Sequence, residues 1–338
     1  MKDAVLFRTH GQLSFEAILT INRFSRDLSN DQLALIHNGQ LGWWTPKLAQ
    51  FKLRHCSWQW DDFLSRYPAL VQANAQLPEF NQASQSTGKR WLSPHFAVLA
   101  PVVLFHTRAL NGTCNDLAYS PAVGRLWSVE QDALYNGRLD QFVSALQAVN
   151  ADLLSTGYIA ADSDWWGYAL HTKTPYLRPK VHTSAANFTC VIRAARSVCT
   201  DVACNVLTSA QACPKNGVGF LFRVVVVERF SASLLSLVHD NLQRGVGMVG
   251  EVFASTLCDS HPGCILKDWQ VELNSRFFSE NFIWNPRPVA ARPGPVRIAQ
   301  NRWAHPIKWA HPHVAALPSQ TSSLETKLRR ENPNAFLA

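Results

Sequence analysis

Residues 125–130 read Arg-Leu-Trp-Ser-Val-Glu, an apolar run that ends in an acidic residue, and this pattern predicts a buried β-strand. An extended pattern resumes at Asp152-Leu153-Leu154. Strand, helix and strand in this order are typical of a βαβ unit, so the sequence predicts an α/β protein with a mostly parallel sheet. Between the two strands, the apolar residues of segment 139–149 are spaced as one helix face: Leu139, Phe142, Val143, Leu146 and Val149.

The same alternation extends in both directions from this unit. Before it, we expect a strand at 4–9, a helix at 14–26 and a strand at 33–37. After it, the β-branched run 220–227 predicts a strand and 231–244 predicts a helix. Ser231 or Ser233 would cap that helix at its start, and Gly245 would end it.

Three segments interrupt the pattern. Residues 75–95 are rich in Gln, Asn, Ser and Pro, a composition that predicts a long loop. The segment from about 187 to 215 is rich in cysteine and is expected to be an insertion. Proline is dense from Asn285 onward, so we expect no regular structure there. We therefore predict one domain over residues 1–310 and an irregular C-terminal tail over 311–338.

The composition excludes several classes of protein. The chain of 338 residues is 47% hydrophobic and 17% charged, against about 25% charged in an average domain, so it is not intrinsically disordered. Its net charge of +8 reflects few acids, 24 against 32 basic residues. The basic residues are scattered rather than clustered, which argues against a nucleic-acid partner. No apolar run approaches the roughly 18 residues of a membrane span in this chain.

The eight cysteines favour disulfide bonds and an oxidising compartment. Cys258 and Cys264 would close a small loop. The spacing Cys190, Cys199, Cys204 and Cys213 allows three pairings, of which nested pairs are the simplest, and zinc is the alternative. The sequons at Asn111 and Asn187 also favour the Golgi or ER lumen or secretion. The start of the chain shows neither signal nor anchor, so a cytoplasmic location stays the alternative.

Glu130 and Asp132 are the first candidates for chemistry. In open α/β sheets, ligands bind beyond the carboxyl ends of strands, and two carboxylates leaving a buried strand can share a divalent cation. Asp162 and Asp164, just before Trp165-Trp166, form an alternative acidic pair. Either pair could instead be a solvated loop or a helix cap.

Several motifs together resemble a largely uncharacterised group of proteins related to the GT-A glycosyltransferases. The resemblance covers most of residues 120–310 and consists of motifs that occur in the same order. These motifs are the strand ending Glu130-x-Asp132, the Asp152-Leu153-Leu154 strand, Trp165-Trp166, Arg229-x-Ser231, Glu251 with Thr256-Leu257, and His305-Pro306-x-Lys308.

The resemblance implies a GT-A-like α/β/α sandwich that binds a nucleotide sugar through Mn²⁺ or Mg²⁺ and transfers the sugar to a glycan or another hydroxyl acceptor. It assigns the metal to Glu130 and Asp132, with His305 as a late ligand. Glu251 would be the general base for the acceptor hydroxyl. Lys308 would contact the phosphates, and Trp165 and Trp166 would stack on a sugar or base.

Other interpretations stay open at the level of sequence. Glu251 could be an ion-paired or capping residue, His305 an ordinary loop histidine, and one of Trp165 and Trp166 a core residue. The protein could also be a non-catalytic carbohydrate-binding or scaffold protein with the same fold. A glycoside hydrolase would need two opposed carboxylates, which any two of Glu130, Asp162, Asp164 and Glu251 could supply.

Overall fold

A computed structural model describes a large part of the chain, and its central feature among the described residues is an eight-stranded sheet. The described residues are 3–9, 15–38, 53–75, 98–131, 133–135, 137–160, 221–245, 247, 250–273, 278–282 and 303–305. The strands of this sheet are β1 (Ala4–Thr9), β2 (Leu33–His37), β3 (Arg54–Ser57), β4 (Asn111–Gly112), β5 (Arg125–Glu130), β7 (Leu153–Ala160), β8 (Leu221–Ser231) and β9 (Leu266–Asp268). Their order across the sheet is β4-β3-β2-β1-β5-β8-β7-β9.

The sheet is mixed but mostly parallel. Strands β3, β2, β1 and β5 are parallel neighbours, and β7 and β9 run in the same direction as these four. Strand β8 lies between β5 and β7 and is antiparallel to both, and β4 is antiparallel to β3 at the outer edge. The predicted unit of strand, helix and strand is therefore present, but a later strand separates its two strands.

Helices cover both faces of the sheet. In the described part of the chain they are α1 (Phe15–Asp27), α2 (Trp60–Arg66), α3 (Pro68–Ala75), α4 (Ala100–His106), α5 (Leu139–Leu146), α6 (Ala232–Gln243), α7 (Gly250–Ser260) and α8 (Trp269–Glu272). Alternate residues of β1 enter different cores: Leu6 packs with helices α2, α3, α4, α6 and α7, whereas Phe7 packs with α1, α5 and α8. Helices thus pack on each face of the sheet, which confirms the predicted α/β class.

The predicted helix after residue 137 forms as α5. It buries Leu139, Phe142, Val143 and Leu146, which are the residues of the predicted face, and it ends one turn earlier than the periodicity indicated. Its first turn has no side-chain cap of its own. Instead, the backbone N–H of Leu139 donates a hydrogen bond to Asp27 Oδ2 at 2.7 Å, so the end of α1 caps α5.

Two of the motifs meet at the amino end of β7. Asp152 Oδ1 accepts hydrogen bonds from the hydroxyls of Ser231 (2.7 Å) and Ser233 (2.9 Å), and Oδ2 accepts one from the backbone of Ile265 (3.0 Å). Ser231 is also the N-cap of α6 and accepts from the backbone N–H of Leu234, which confirms the predicted start of that helix. The contacts of Asp152 thus join three elements.

The described part of the chain contains two disulfides. Cys258–Cys264 confirms the predicted pair and links α7 to the turn before β9. Cys56–Cys114, which sequence spacing did not indicate, ties β3 to the turn that follows β4. The predicted insertion with Cys190, Cys199, Cys204 and Cys213 lies outside the described residues. The disulfides agree with an oxidising compartment.

A second, smaller sheet corrects the expectation for the region after Asn285. Among the described residues, β10 (Phe278–Phe282), β11 (Trp303–His305) and β6 (Leu134–Tyr135) form a three-stranded sheet in that order. Strand β11 lies in the proline-dense region, where we expected no regular structure. It forms because Trp303 and Ala304 pair with β6 far away in sequence, an interaction that local composition does not report.

The helices of the described segments do not include one that combines the length and the apolar character needed to cross a bilayer. Helix α4 is completely buried, since all seven of its residues are buried. This helix packs in the core with α6.

A buried histidine lies between α4 and α6. His106 is 6% exposed, its Nδ1 is 2.7 Å from the Tyr119 hydroxyl and its Nε2 is 3.0 Å from the Ser236 hydroxyl. Burial lowers the pKa of His106 to about 4, with a further contribution from the charge of His239. Its imidazole is therefore neutral near pH 7 and links two helices and a loop.

We predict that acid destabilises the protein through His106. The folded pKa of about 4 lies below the ordinary value of 6.5, so the unfolded chain binds the proton first as pH falls. Stability should decline from pH 6.5 toward 4, by up to roughly 3 kcal/mol from this residue. Urea unfolding at pH 7, 5.5 and 4.5 checks this, and H106Q should show a shallower decline. Equal declines in both proteins would contradict the prediction.

Candidate active site

The strand order reverses direction between β1 and β5. From β1 the chain proceeds outward through β2 and β3, and it then returns to place β5 on the opposite side of β1. In an open α/β sheet, the two connections leave opposite faces at such a point, and a crevice opens beyond the carboxyl ends of the two strands. The carboxyl ends of β1 and β5 are therefore the first place to look for a ligand site.

Glu130 ends β5 at this crevice. It lies opposite Arg8 of β1 in the parallel register, and the two side chains form an ion pair with Nη2 of Arg8 3.5 Å from Oε1 of Glu130. The Arg8 side chain is fully buried, whereas that of Glu130 is 16% exposed. The carboxylate is therefore partly accessible, whereas the guanidinium that pairs with it is buried.

Neighbouring parallel strands also change from apolar to polar at this edge. Strand β1 ends in Thr9, whose hydroxyl donates to the carbonyl of Ile36 at 3.4 Å. Strand β2 ends in the buried His37, which lies 6.1 Å from the ring of His55 on β3. Polar groups thus line the carboxyl edge of β1, β2 and β5.

A second buried carboxylate lies farther into the sheet. Glu228 of β8 is directly opposite Ser128 of β5, and both residues are 0% exposed. Since Ser128 and Glu130 are two residues apart on one strand, they lie on the same face, and Glu228 is a diagonal neighbour of Glu130. Within the described residues, the Ser128 Oγ has no hydrogen-bond partner.

The small sheet brings His305 toward the same place. Strand β6 begins a few residues after Glu130, and Ala304 of β11 pairs with Leu134 of β6 in antiparallel register. His305 is the next residue of β11, so the pairing with β6 runs toward Ala133, which follows β5 in the chain. The backbone therefore places His305 on a strand whose pairing leads toward the end of β5.

An aromatic cluster fixes this small sheet. Tyr135 and Trp303 stack with their ring centroids 4.8 Å apart, and Phe142 of α5 contacts both rings at 5.6 and 5.4 Å. Phe24 of α1 and Trp269 of α8 extend the cluster. These buried rings attach β6 and β11 to the core.

Glu251 occupies the first turn of α7. The other end of this helix is tied by Cys258–Cys264 to the start of β9, and that start pairs with Leu153 at the amino edge of the sheet. A helix of 11 residues is about 16 Å long, and α7 packs along β8. Its first turn therefore lies toward the carboxyl edge, the edge that carries Glu130.

The remaining predicted site residues are outside the described part of the chain: Asp132, Asp162, Asp164, Trp165, Trp166 and Lys308. Glu251 and His305 are described by backbone position only. Among the described residues, no three side chains of His, Cys, Asp or Glu form a group able to hold a metal ion. The metal site stays a prediction that depends on Asp132.

Sequence reasoning missed Arg8 and Glu228. The signal for both was a charged residue inside an otherwise apolar strand, Ala4–Thr9 for Arg8 and the run of valines at 224–227 for Glu228. A charge at such a position is either turned to solvent or buried with a partner. Periodicity does not distinguish these cases.

Comparison with known proteins adds no identification: no family model matches the sequence, and no curated protein matches it.

Proposed function

We propose that the protein is a GT-A-like enzyme that transfers a sugar from a nucleotide-sugar donor to a hydroxyl acceptor with the help of a divalent cation. The observation that carries this proposal is the position of Glu130 at the carboxyl end of β5, beside β1, where the strand order reverses. A nucleotide diphosphate fits such a crevice.

The donor groups fit Mn²⁺ or Mg²⁺. Carboxylate oxygens of Glu130 and Asp132 are hard ligands, and an imidazole nitrogen of His305 is acceptable to Mn²⁺. When bound, the ion would neutralise charge that develops on the diphosphate leaving group. The backbone positions of Glu130 and His305 support this set.

The protein's own residues would divide the remaining work. Arg8 holds the Glu130 carboxylate in place from below through their ion pair. Glu251, in the first turn of α7, would accept the proton of the acceptor hydroxyl. Trp165 and Trp166 would offer flat faces to the sugar or base, and Lys308 would contact the phosphates.

One observation favours the alternative, a non-catalytic carbohydrate-binding or scaffold protein. Arg8 already balances the charge of Glu130, which reduces the need for a cation at that carboxylate. This alternative predicts sugar binding that needs neither nucleotide nor Mn²⁺ and that survives E251Q. A glycoside hydrolase would need two carboxylates that face the substrate from opposite sides. Glu228 does not supply one of them, since its side chain is 0% exposed.

A panel of nucleoside diphosphates scored by thermal shift tests the proposal. We expect at least one, such as UDP or GDP, to raise the melting temperature by several degrees in the presence of Mn²⁺, because a ligand that binds only the folded state stabilises it. The shift should disappear when EDTA removes the metal. No shift with any nucleotide, together with a shift from free sugars, would favour the non-catalytic alternative.

A further inference from the structure

We infer that Asn111 carries an N-linked glycan. The sequence Asn111-Gly112-Thr113 has the acceptor pattern for this modification, Asn-x-Thr with a residue other than Pro in the middle. The site lies on β4, at the far edge of the sheet from β9 and separated from β5 by β1, β2 and β3. It is therefore independent of the proposed active site.

The acceptor is accessible in the folded protein. Asn111, Gly112 and Thr113 are all exposed. The backbone of Asn111 pairs with Ser57 of β3, and β4 is the outermost strand on that side. A glycan at this position would project from the edge of the sheet, where it would also block pairing with a strand of another molecule.

The tripeptide is held in one geometry. The Thr113 hydroxyl accepts a hydrogen bond from the backbone N–H of His55 at 3.2 Å and donates one to the His55 carbonyl at 3.3 Å. Gly112 has a φ of +117°, and a Cβ there would lie 2.6 Å from the same carbonyl oxygen. Glycine in the middle position is therefore required by the fold, and it is compatible with glycosylation.

The adjacent disulfide also indicates that the protein passes through the secretory pathway. Cys114 directly follows Thr113 and bonds to Cys56 on β3. Disulfides of this kind form and persist in the oxidising spaces of the secretory pathway, where N-linked glycans are also added. The second disulfide, Cys258–Cys264, lies in a different part of the fold and requires the same environment.

The modification needs one co-substrate, an oligosaccharide carried on a lipid diphosphate. A bond forms between the side-chain nitrogen of Asn111 and the anomeric carbon of the oligosaccharide. The bond between that carbon and the phosphate oxygen breaks, the amide nitrogen gives up one proton, and the lipid diphosphate leaves. No oxidant or reductant takes part.

Expression of the full chain behind a secretion signal in a eukaryotic host tests the inference. N187Q is introduced in every sample, so that Asn111 carries the remaining sequon. We expect treatment with peptide N-glycanase to lower the mass by one glycan and to leave Asp in place of Asn111, which peptide mass spectrometry locates. N111Q should show no loss of mass.

T113S is the matched control, because serine keeps the acceptor pattern and a hydroxyl for His55, and it should retain the glycan. T113A should lose it. An unmodified Asn111 in protein from the secretory pathway whose Cys56–Cys114 bond has formed would overturn the inference. A glycan that persists in N111Q would overturn it as well.

Discussion

Replacing Arg229 by Met is expected to lower the free energy of unfolding by about 3–5 kcal/mol, the usual cost of removing one partner from a buried ion pair. The Arg229 side chain is fully buried and lies 3.8 Å from Asp3 Oδ2. It also donates hydrogen bonds to the carbonyls of Leu146 at 2.7 Å and Val149 at 2.6 Å, and its guanidinium lies 5.7 Å from the Trp127 ring centroid.

The Arg229 side chain gives a positive charge and hydrogen-bond donors to buried acceptors. The two carbonyls lie at and just beyond the end of α5, where backbone acceptors lack partners within the helix. Asp3 is 4% exposed, and burial raises its pKa although Arg229 and the indole N–H of Trp127 oppose the rise. Burial lowers the pKa of Arg229 itself to about 10, so it stays charged at neutral pH.

The pH dependence distinguishes this explanation from a simple loss of packing. Without Arg229, the pKa of Asp3 should rise further, and a carboxyl with a folded pKa above its unfolded value destabilises the fold as pH rises through that folded pKa. The decrease in the free energy of unfolding caused by R229M should therefore be smaller at pH 4 than at pH 7. The double variant D3N/R229M should recover part of it at pH 7.

Urea unfolding measures these differences. R244M is the matched control, since Arg244 is exposed at the end of α6, and it should change stability by no more than about 0.5 kcal/mol. A loss in R229M below about 1 kcal/mol, or a loss of equal size at both pH values, would contradict the role assigned to this residue.

Loss of the Cys56–Cys114 disulfide is expected to cost about 4 kcal/mol, and loss of Cys258–Cys264 about 2 kcal/mol. The first closes a loop with a sequence separation of 58 and the second one with a separation of 6. In the chain-entropy account, a longer closed loop restricts the unfolded chain more, and these values follow from the two separations. The long bond also anchors β3 and β4, the outer strands of the sheet.

The two double variants, C56A/C114A and C258A/C264A, serve as controls for each other. Each removes one disulfide; Cys56, Cys114 and Cys258 are buried, whereas Cys264 is partly buried. Urea unfolding without reductant compares them. A larger loss of stability in C258A/C264A than in C56A/C114A would contradict the chain-entropy explanation.

Much of the fold could be predicted because its signals are local. The apolar spacing in 139–149 gave the buried face of α5, and Ser231 and Gly245 gave the limits of α6. The direction and position of β8 could not be predicted, because a strand in isolation has no signal for antiparallel insertion between β5 and β7. Strand β11 depends in the same way on contacts with β6.

The candidate site shows the same division. The position of Glu130 at the end of a buried strand could be predicted, because the apolar run before it is local. Its partner Arg8 belongs to another strand, and only the assembled sheet places the two side by side. The motifs of Asp152 and Ser231 were associated with a family resemblance, but they bond to each other at the opposite edge of the sheet. Their contacts explain them as structural residues.

The proposed function requires that a nucleotide diphosphate bind at the carboxyl end of β5 through a divalent cation held by Glu130 and Asp132. Calorimetric titration of the nucleotide selected by the thermal-shift panel, with and without Mn²⁺, measures this binding. E272Q is the control, because Glu272 is a partly exposed, ion-paired carboxylate on α8 rather than at the end of β5.

We predict that Mn²⁺ strengthens nucleotide binding at least about tenfold in wild type and in E272Q. This figure is the lower end of the change in metal affinity that follows when a residue of a metal site is altered, which is about tenfold to a hundredfold. E130Q and D132A should lose this dependence on the metal while remaining folded. Nucleotide binding of equal strength with and without Mn²⁺, or metal-dependent binding that is unchanged in D132A, would contradict the claim.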